Sequence, residues 1–138
     1  MGFSNLYDCV TDAKSMLIDN WTLTPSPVIS FVWDEKTTGF MDDRQDFILM
    51  APTAEDVGYF GLYGTDFLHT IYITIDIHTF ENIDHHSNIV NEVVKIIKAN
   101  IRRTDFIDLM LVSTSQENDL YRNIYRHTIS IKYRKLNP

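Results

Sequence analysis

The sequence predicts an α+β domain: a single, mostly antiparallel sheet with two helices on one face, in the order α-β-β-β-α-β-β. Three observations predict it. Residues 71–78 alternate strictly, with Ile71, Ile73, Ile75 and Ile77 on one side and Tyr72, Thr74, Asp76 and His78 on the other. Residues 5–20 and 86–101 instead carry apolar side chains at helical spacing, and residues 123–134 return to alternation. Period two marks a half-buried strand and period 3.6 an amphipathic helix. Strands divided around two helices in this way pack as one sheet covered on one face. A length of 138 residues suits one domain, 1–138.

In the first helix, Leu6, Val10, Ala13 and Leu17 share a face with Cys9 and Met16, and Ser4 is a candidate N-cap. Pro25 and Pro27 stop the helix and open an extended segment. Val28 to Trp33 is a run of strand formers. Residues 34–68 read as a long loop or hairpin region around one short strand, Phe47 to Ala51, ended by Pro52. Gly58, Gly61 and Gly64 make its later part an irregular, aromatic-rich connection; their spacing is not that of a phosphate loop.

After the alternating strand comes a turn with Asn82 and Asp84. The second helix is expected over 86–101. Ile89, Val93, Ile96 and Asn100 lie on one face, widened by Val90, Val94, Ile97 and Ile101, and Lys95, Lys98, Arg102 and Arg103 gather near its end. Phe106 to Val112 is a further strand and 113–120 a polar turn. In the last strand Tyr125, His127, Ile129, Ile131 and Tyr133 face one way, and Arg126, Thr128, Ser130, Lys132 and Arg134 the other. The expected core joins Ile73, Ile75, Val93, Ile97, Ile129 and Ile131.

Hydrophobic residues make up 44% of the chain, enough for a packed core without a metal or disulfide staple. The single cysteine, Cys9, excludes an internal disulfide and fits a reducing compartment. The first residues do not read as a signal peptide, and no apolar run approaches the ~20 residues that cross a bilayer. A net charge of −7 argues against a general nucleic-acid binder. The charge is also divided: residues 1–94 hold 15 acidic and 3 basic residues, residues 95–138 hold 4 acidic and 9 basic. Uneven surface statistics explain this, as do two oppositely charged faces suited to head-to-tail self-assembly.

Candidate chemistry is sparse. Asp84-His85-His86 matches a triplet of metal-dependent phosphoesterases, and Asp76 and His78 point the same way from one strand, so Asp76, His78, Asp84 and His85 form a candidate metal set. Those enzymes need further acidic motifs and a longer, two-domain chain. The plainer reading makes Asp84 a helix cap and His85 and His86 exposed, each replaceable by Ala without effect on folding. Cys9 is a nucleophile only if a histidine reaches it; on the apolar stripe it reads as core. Ser113, Thr114 and Ser115 lack the glycine context of a hydrolase elbow. Asp42, Asp43 and Asp46 do not match a calcium loop. Arg122, Arg126, Lys132 and Arg134, interleaved with Tyr121 and Tyr125, make a basic stripe that suits a transient nucleic-acid contact, an exposed strand face or a subunit interface. Tyr59, Phe60 and Tyr63 form an apolar patch suited to a partner or folded back on the core.

The stretch from Ile71 to Ile101 has a recognisable shape. A strand ending Ile75-Asp76-Ile77-His78-Thr79-Phe80 leads through a short polar turn to a helix running Asn88-Ile89-Val90-Asn91-Glu92-Val93-Val94. A strand, a turn and the alternating Arg126-His127-Thr128-Ile129-Ser130-Ile131-Lys132-Tyr133 follow. This order, with a helix ahead of the first strand, resembles the tail-terminator and tail-completion proteins of long-tailed phages, the lambda-type terminator among them. The likeness is one of element order over nearly the whole chain, and the long 34–68 region departs from it.

The resemblance implies a virion protein made in the host cytoplasm and placed at the head-proximal end of the tail. There it forms a homo-oligomeric ring, expected to be a hexamer, that caps the tail tube and ends its polymerisation. Its partners are further copies of itself, the tube protein and a neck or head-completion protein, with genome DNA only passing through the ring and no membrane. The family brings no catalytic residue, cofactor or metal. The expected interface sets Asp42, Asp43 and Asp46 against Arg122, Arg126, Lys132 and Arg134, with Tyr59, Phe60 and Tyr63 as apolar contacts. A head–tail adaptor is the alternative within this class, and a small metal-dependent phosphoesterase-like enzyme using Asp76, His78, Asp84 and His85 the alternative outside it.

Overall fold

Alternation over residues 71–78 dictates a sheet with one dry face, and two amphipathic helices supply its cover. The computed structural model describes residues 6–32, 44–60, 66–102, 108–119 and 123–136. Its elements are α1 (Leu6–Asn20), β1 (Val28–Phe31), β2 (Phe47–Phe60), β3 (Asp66–Thr79), α2 (Ile83–Ala99), β4 (Asp108–Asp119) and β5 (Ile124–Leu136). The order and the α+β class are those predicted. The five strands form one sheet in the order β1-β2-β3-β5-β4, in which only β1 and β2 run parallel.

β3 lies at the centre. Ile71, Ile73, Ile75 and Ile77 are fully buried, as are Ile129, Ile131 and Tyr133 on β5 and Ile48 and Met50 on β2. They share one core with Cys9, Val10, Ala13, Met16 and Leu17 of α1 and with Ile89, Val90, Val93, Ile96 and Ile97 of α2. All six residues expected to meet in the core do so. A smaller cluster of Phe47, Leu49 and Phe80 forms on the opposite face. Two polar contacts tie the layers: the Tyr133 hydroxyl donates to Asp12 Oδ2 at 2.8 Å, and Glu92 of α2 accepts from the backbone N–H and the hydroxyl of Thr22, just after α1.

Several expected boundaries move. Pro52 does not end β2. The strand passes it with a bulge between Pro52 and Ala54 and pairs with β3 as far as Phe60↔Asp66. β1 reaches only to Phe31↔Met50, and among the described residues β2 pairs beyond that point with β3 alone. Proline is tolerated at bulges, and Pro52 sits at one. Much of the irregular connection expected over 52–68 is therefore one long hairpin.

Of the polar turn expected at 113–120, residues 113–119 are likewise strand. β4 runs to Asp119, and Ser113–Asp119 pair with Ser130–Ile124. Backbone hydrogen bonding to β5 specifies this half, whose side chains are mostly exposed and carry no apolar pattern. α2 begins three residues earlier than expected, at Ile83, and Asn82 rather than Asp84 is its N-cap, accepting from the His85 N–H at 2.9 Å. Ile101 lies past the helix end and is 46% exposed instead of widening the buried face. The Ser4 cap lies outside the described residues.

Ile75 and Ile97 test this packing, since neither side chain has room to be replaced by water. Ile75→Ala or Ile97→Ala should each lower unfolding free energy by about 2–5 kcal/mol. Urea titration with an unchanged m-value is the check; a loss below about 1 kcal/mol at both sites would contradict a shared core.

Candidate functional site

With both helices on one side, residues 70, 72, 74, 76 and 78 of β3 and 126, 128, 130, 132 and 134 of β5 stand on the other side, most of them half-buried. Asp76 organises this face. Its carboxylate accepts a two-pronged contact from Arg126, Nε to Oδ1 at 2.9 Å and an Nη to Oδ2 at 3.0 Å. The fork of a guanidinium matches a carboxylate, which makes this contact directional. His78 Nε2 lies 3.2 Å from Asp76 Oδ2, and the His78 ring stacks on Phe47 at 4.5 Å between centroids. Burial alone would raise the Asp76 pKa, but hydrogen bonds from His78 and Arg126 outweigh it and hold the carboxyl below the usual carboxylate range.

A second polar cluster lies at the β3–α2 turn. Asp46, just before β2, takes the Phe80 N–H on Oδ1 and His85 Nε2 on Oδ2, while its backbone carbonyl accepts from the Val28 N–H. One residue thus ties the starts of β1, β2 and α2 together. Next to it, His86 is 1% exposed. Its Nδ1 lies 2.7 Å from the Thr79 hydroxyl, its ring stacks against Tyr125 at 5.6 Å, and His127 is 6.1 Å away. Burial, with help from the neighbouring histidines His127 and His85, pushes the His86 pKa down to about 4, and burial lowers that of His127 as well. The expectation that His86 is exposed and dispensable is therefore overturned: Thr79 and Tyr125 enclose its ring beneath the first turn of α2. His85 is half-buried, held by Asp46.

The metal set does not assemble. Asp76 and His78 belong to the Arg126 cluster, His85 belongs to Asp46, and Asp84 is exposed in the first turn of α2. Among the described residues no three His, Cys, Asp or Glu side chains converge on one point that suits an ion. Cys9 is 1% exposed, and burial pushes its thiol up to about 12, so it is a core residue and not a thiolate.

Comparison with models of protein families and with curated proteins finds no match for this chain. Of the expected interface residues, Lys132 and Arg134 stand half-buried on the face away from the helices. Arg126 is on the same face but engaged by Asp76, and the Asp46 carboxylate is turned inward to Phe80 and His85. Tyr59 and Phe60 occupy the last two positions of β2; their side chains, and the whole of Asp42, Asp43, Tyr63 and Arg122, lie outside the described residues.

Glu92 was not singled out by its sequence position, although a signal was present. It falls at helical spacing with Ile89, Val93 and Ile96, an acid on an apolar stripe. Its side chain is 3% exposed and its Oε1 meets Lys95 Nζ at 2.5 Å. Burial would raise its pKa, but hydrogen bonds from Lys95 and Thr22 reverse that and lower it. His86, one turn before Ile89 and Val90, carried the same signal.

His86 gives the fold an acid-sensitive point. Its ring is neutral when folded, with a pKa of about 4 against 6.5 in the unfolded chain. The unfolded state therefore takes up a proton first, and the stabilisation present above pH 6.5 is lost as pH falls towards 4. The loss should reach up to about 3 kcal/mol, read as urea midpoints at pH 7 and pH 4.5. His86→Gln should flatten the decline in this window; an equal slope in both proteins would remove His86 as its cause. Glu92 and Asp76, whose pKa values are lowered, contribute in a more acidic window.

Proposed function

We propose that this chain is a structural protein of a phage virion. In this reading it forms a closed ring on the head-proximal end of the tail tube, ends tube growth and joins the tail to the neck. The observation that carries the reading is the fold's element order, α-β-β-β-α-β-β with both helices on one side of one sheet, which is the pattern on which the likeness to tail-terminator and tail-completion proteins rests. The mechanism is geometric: a ring that copies the tube's interface on one side and offers no continuation on the other stops polymerisation without chemistry. A heterologous contact between unlike patches closes into such a ring when its rotation divides a full turn.

Lys132 and Arg134 fit the basic half of that contact. Charges of this kind steer association and set register, while apolar contacts supply affinity. The four residues of the metal-enzyme reading are divided, Asp76 and His78 beside Arg126, His85 on Asp46 and Asp84 exposed, which gives that alternative no geometric support.

Electron microscopy of assembled particles decides the matter. A ring of this protein at the head-proximal end of the tail is expected, and Lys132→Glu with Arg134→Glu should slow ring formation on the tube by about tenfold or more at low salt, with less effect at high salt. A protein absent from virions, or a ring located wholly within the neck and clear of the tube, would overturn the terminator reading; the second result would make it an adaptor.

A further inference from the structure

The two margins of the sheet carry unlike surfaces at one level. At the β4 margin the Leu109 N–H is taken by the Ile101 carbonyl, and the pairing with β5 shifts between Leu111 and Ser113. Both features close this stretch to an added strand, so what it offers a partner is side chains. Those side chains are apolar: Ile101 is 46% exposed, Met110 41% and Leu111 37%. With Ile97 and Leu109 beneath them and Lys98 at the rim, they line an open groove of about 200 Å³. Single apolar residues are ordinary on a surface, whereas a contiguous group marks a contact. Among the described side chains the charges round this groove are basic. Lys98 and Arg102 are exposed at and beyond the end of α2, and Lys132 stands beside Met110 in the pairing with β5.

One row of pairing leads from the groove across the sheet. Leu109 pairs with Tyr133, Tyr133 with Ile71, and Ile71 with Glu55. Glu55, Asp56 and Val57 therefore stand level with the groove on the opposite margin, where β2 pairs, among the described residues, with β3 alone. All three are exposed, and Val57, at 53%, is the most exposed large apolar residue among those described. Alternation puts Glu55 and Val57 on the face of Ile71, the helix-covered face on which the groove also opens. Residues 53–58 hold two acids and no base. Glu55 meets His69 through Oε2 alone, at 3.3 Å, and Asp56 has no partner among the described residues. Ile18 and Ile83, also exposed, lie on the helices and off this row.

We infer that copies of this chain associate head to tail, margin to margin: Val57 of one copy enters the groove between α2's end and β4 of the next, and Glu55 and Asp56 meet the basic residues around it. Charge complementarity selects a second copy as the occupant, because an apolar groove with a basic rim and an acidic strand with one exposed valine stand on opposite margins of one molecule. The valine supplies apolar contact, while the charges steer approach and set register. A contact between unlike surfaces on opposite sides repeats from copy to copy, and it closes when its rotation divides a full turn. That closure rests on the ring proposed above; the contact between two copies does not.

The test uses the whole chain. Val57→Cys and Ile101→Cys placed together should give the purified protein a ladder of disulfide-linked dimers, trimers and higher species under oxidised glutathione at submillimolar concentration. Either cysteine alone should leave it monomeric on a non-reducing denaturing gel, because unlike surfaces bring no residue against its own copy. Cys9 is buried and leaves the background low. Adding Lys98→Glu and Arg102→Glu to the pair should slow the ladder by about tenfold or more at low salt, with less effect at high salt. Circular dichroism should be unchanged throughout, since all four positions are exposed. No ladder, single-cysteine variants that link as fast as the pair, or a ladder indifferent to the charge reversals would each overturn the inference. A ladder from a protein absent from virions would support the contact and remove the tail reading. Normal rings in particles carrying Val57→Lys would overturn the contact and leave the ring reading standing.

Discussion

Everything in this molecule depends on β3 being two-sided. Four isoleucines on one face and Tyr72, Thr74, Asp76 and His78 on the other fix which face of the strand is buried. A slip of one residue against β2 or β5 would turn Asp76 and His78 into the core and four isoleucines out of it. β2 and β5 are held to the same phase, because Ile48 and Met50 oppose Ile77 and Ile75 while Ile129 and Ile131 oppose Ile75 and Ile73. The helices have no comparable constraint of their own. They are placed by the dry face that these strands create.

The polar residues of the fold are organised around that placement. Glu92 joins α2 to the residues after α1, Tyr133 joins the sheet to α1 through Asp12, and Asp46 joins the β3–α2 turn to the starts of β1 and β2. Each replaces lost hydration with a specific partner, as a buried polar group must. Groups that look reactive in isolation carry contacts of the same kind: Asp76 with Arg126 and His78, His85 with Asp46, and His86 through its Nδ1 with Thr79. Burial of His86 makes the histidine-rich end of the sheet a part of the fold that responds to acid.

Within the described residues the sheet has two margins, β4 and the part of β2 beyond β1, and a second face that carries Lys132 and Arg134. Unlike edges permit both closed and repeating contacts.

The sequence by itself determined the class and order of the elements, the central strand, the shared core and the inward stripe of α1. These follow from periodicity, a local property read from neighbours three or four residues apart on helices and two apart on strands. Tertiary structure alone decided how far β2 and β4 extend. Both continue past their apolar patterns because a neighbouring strand supplies backbone hydrogen bonds to residues whose side chains carry no signal. It also decided which polar residues meet. Asp46 and His85 are 39 positions apart, Asp76 and Arg126 50, and Thr22 and Glu92 70. No periodicity links positions so distant: β5 beside β3 brings Arg126 to Asp76, and the placement of α2 against the sheet and α1 brings His85 to Asp46 and Glu92 to Thr22.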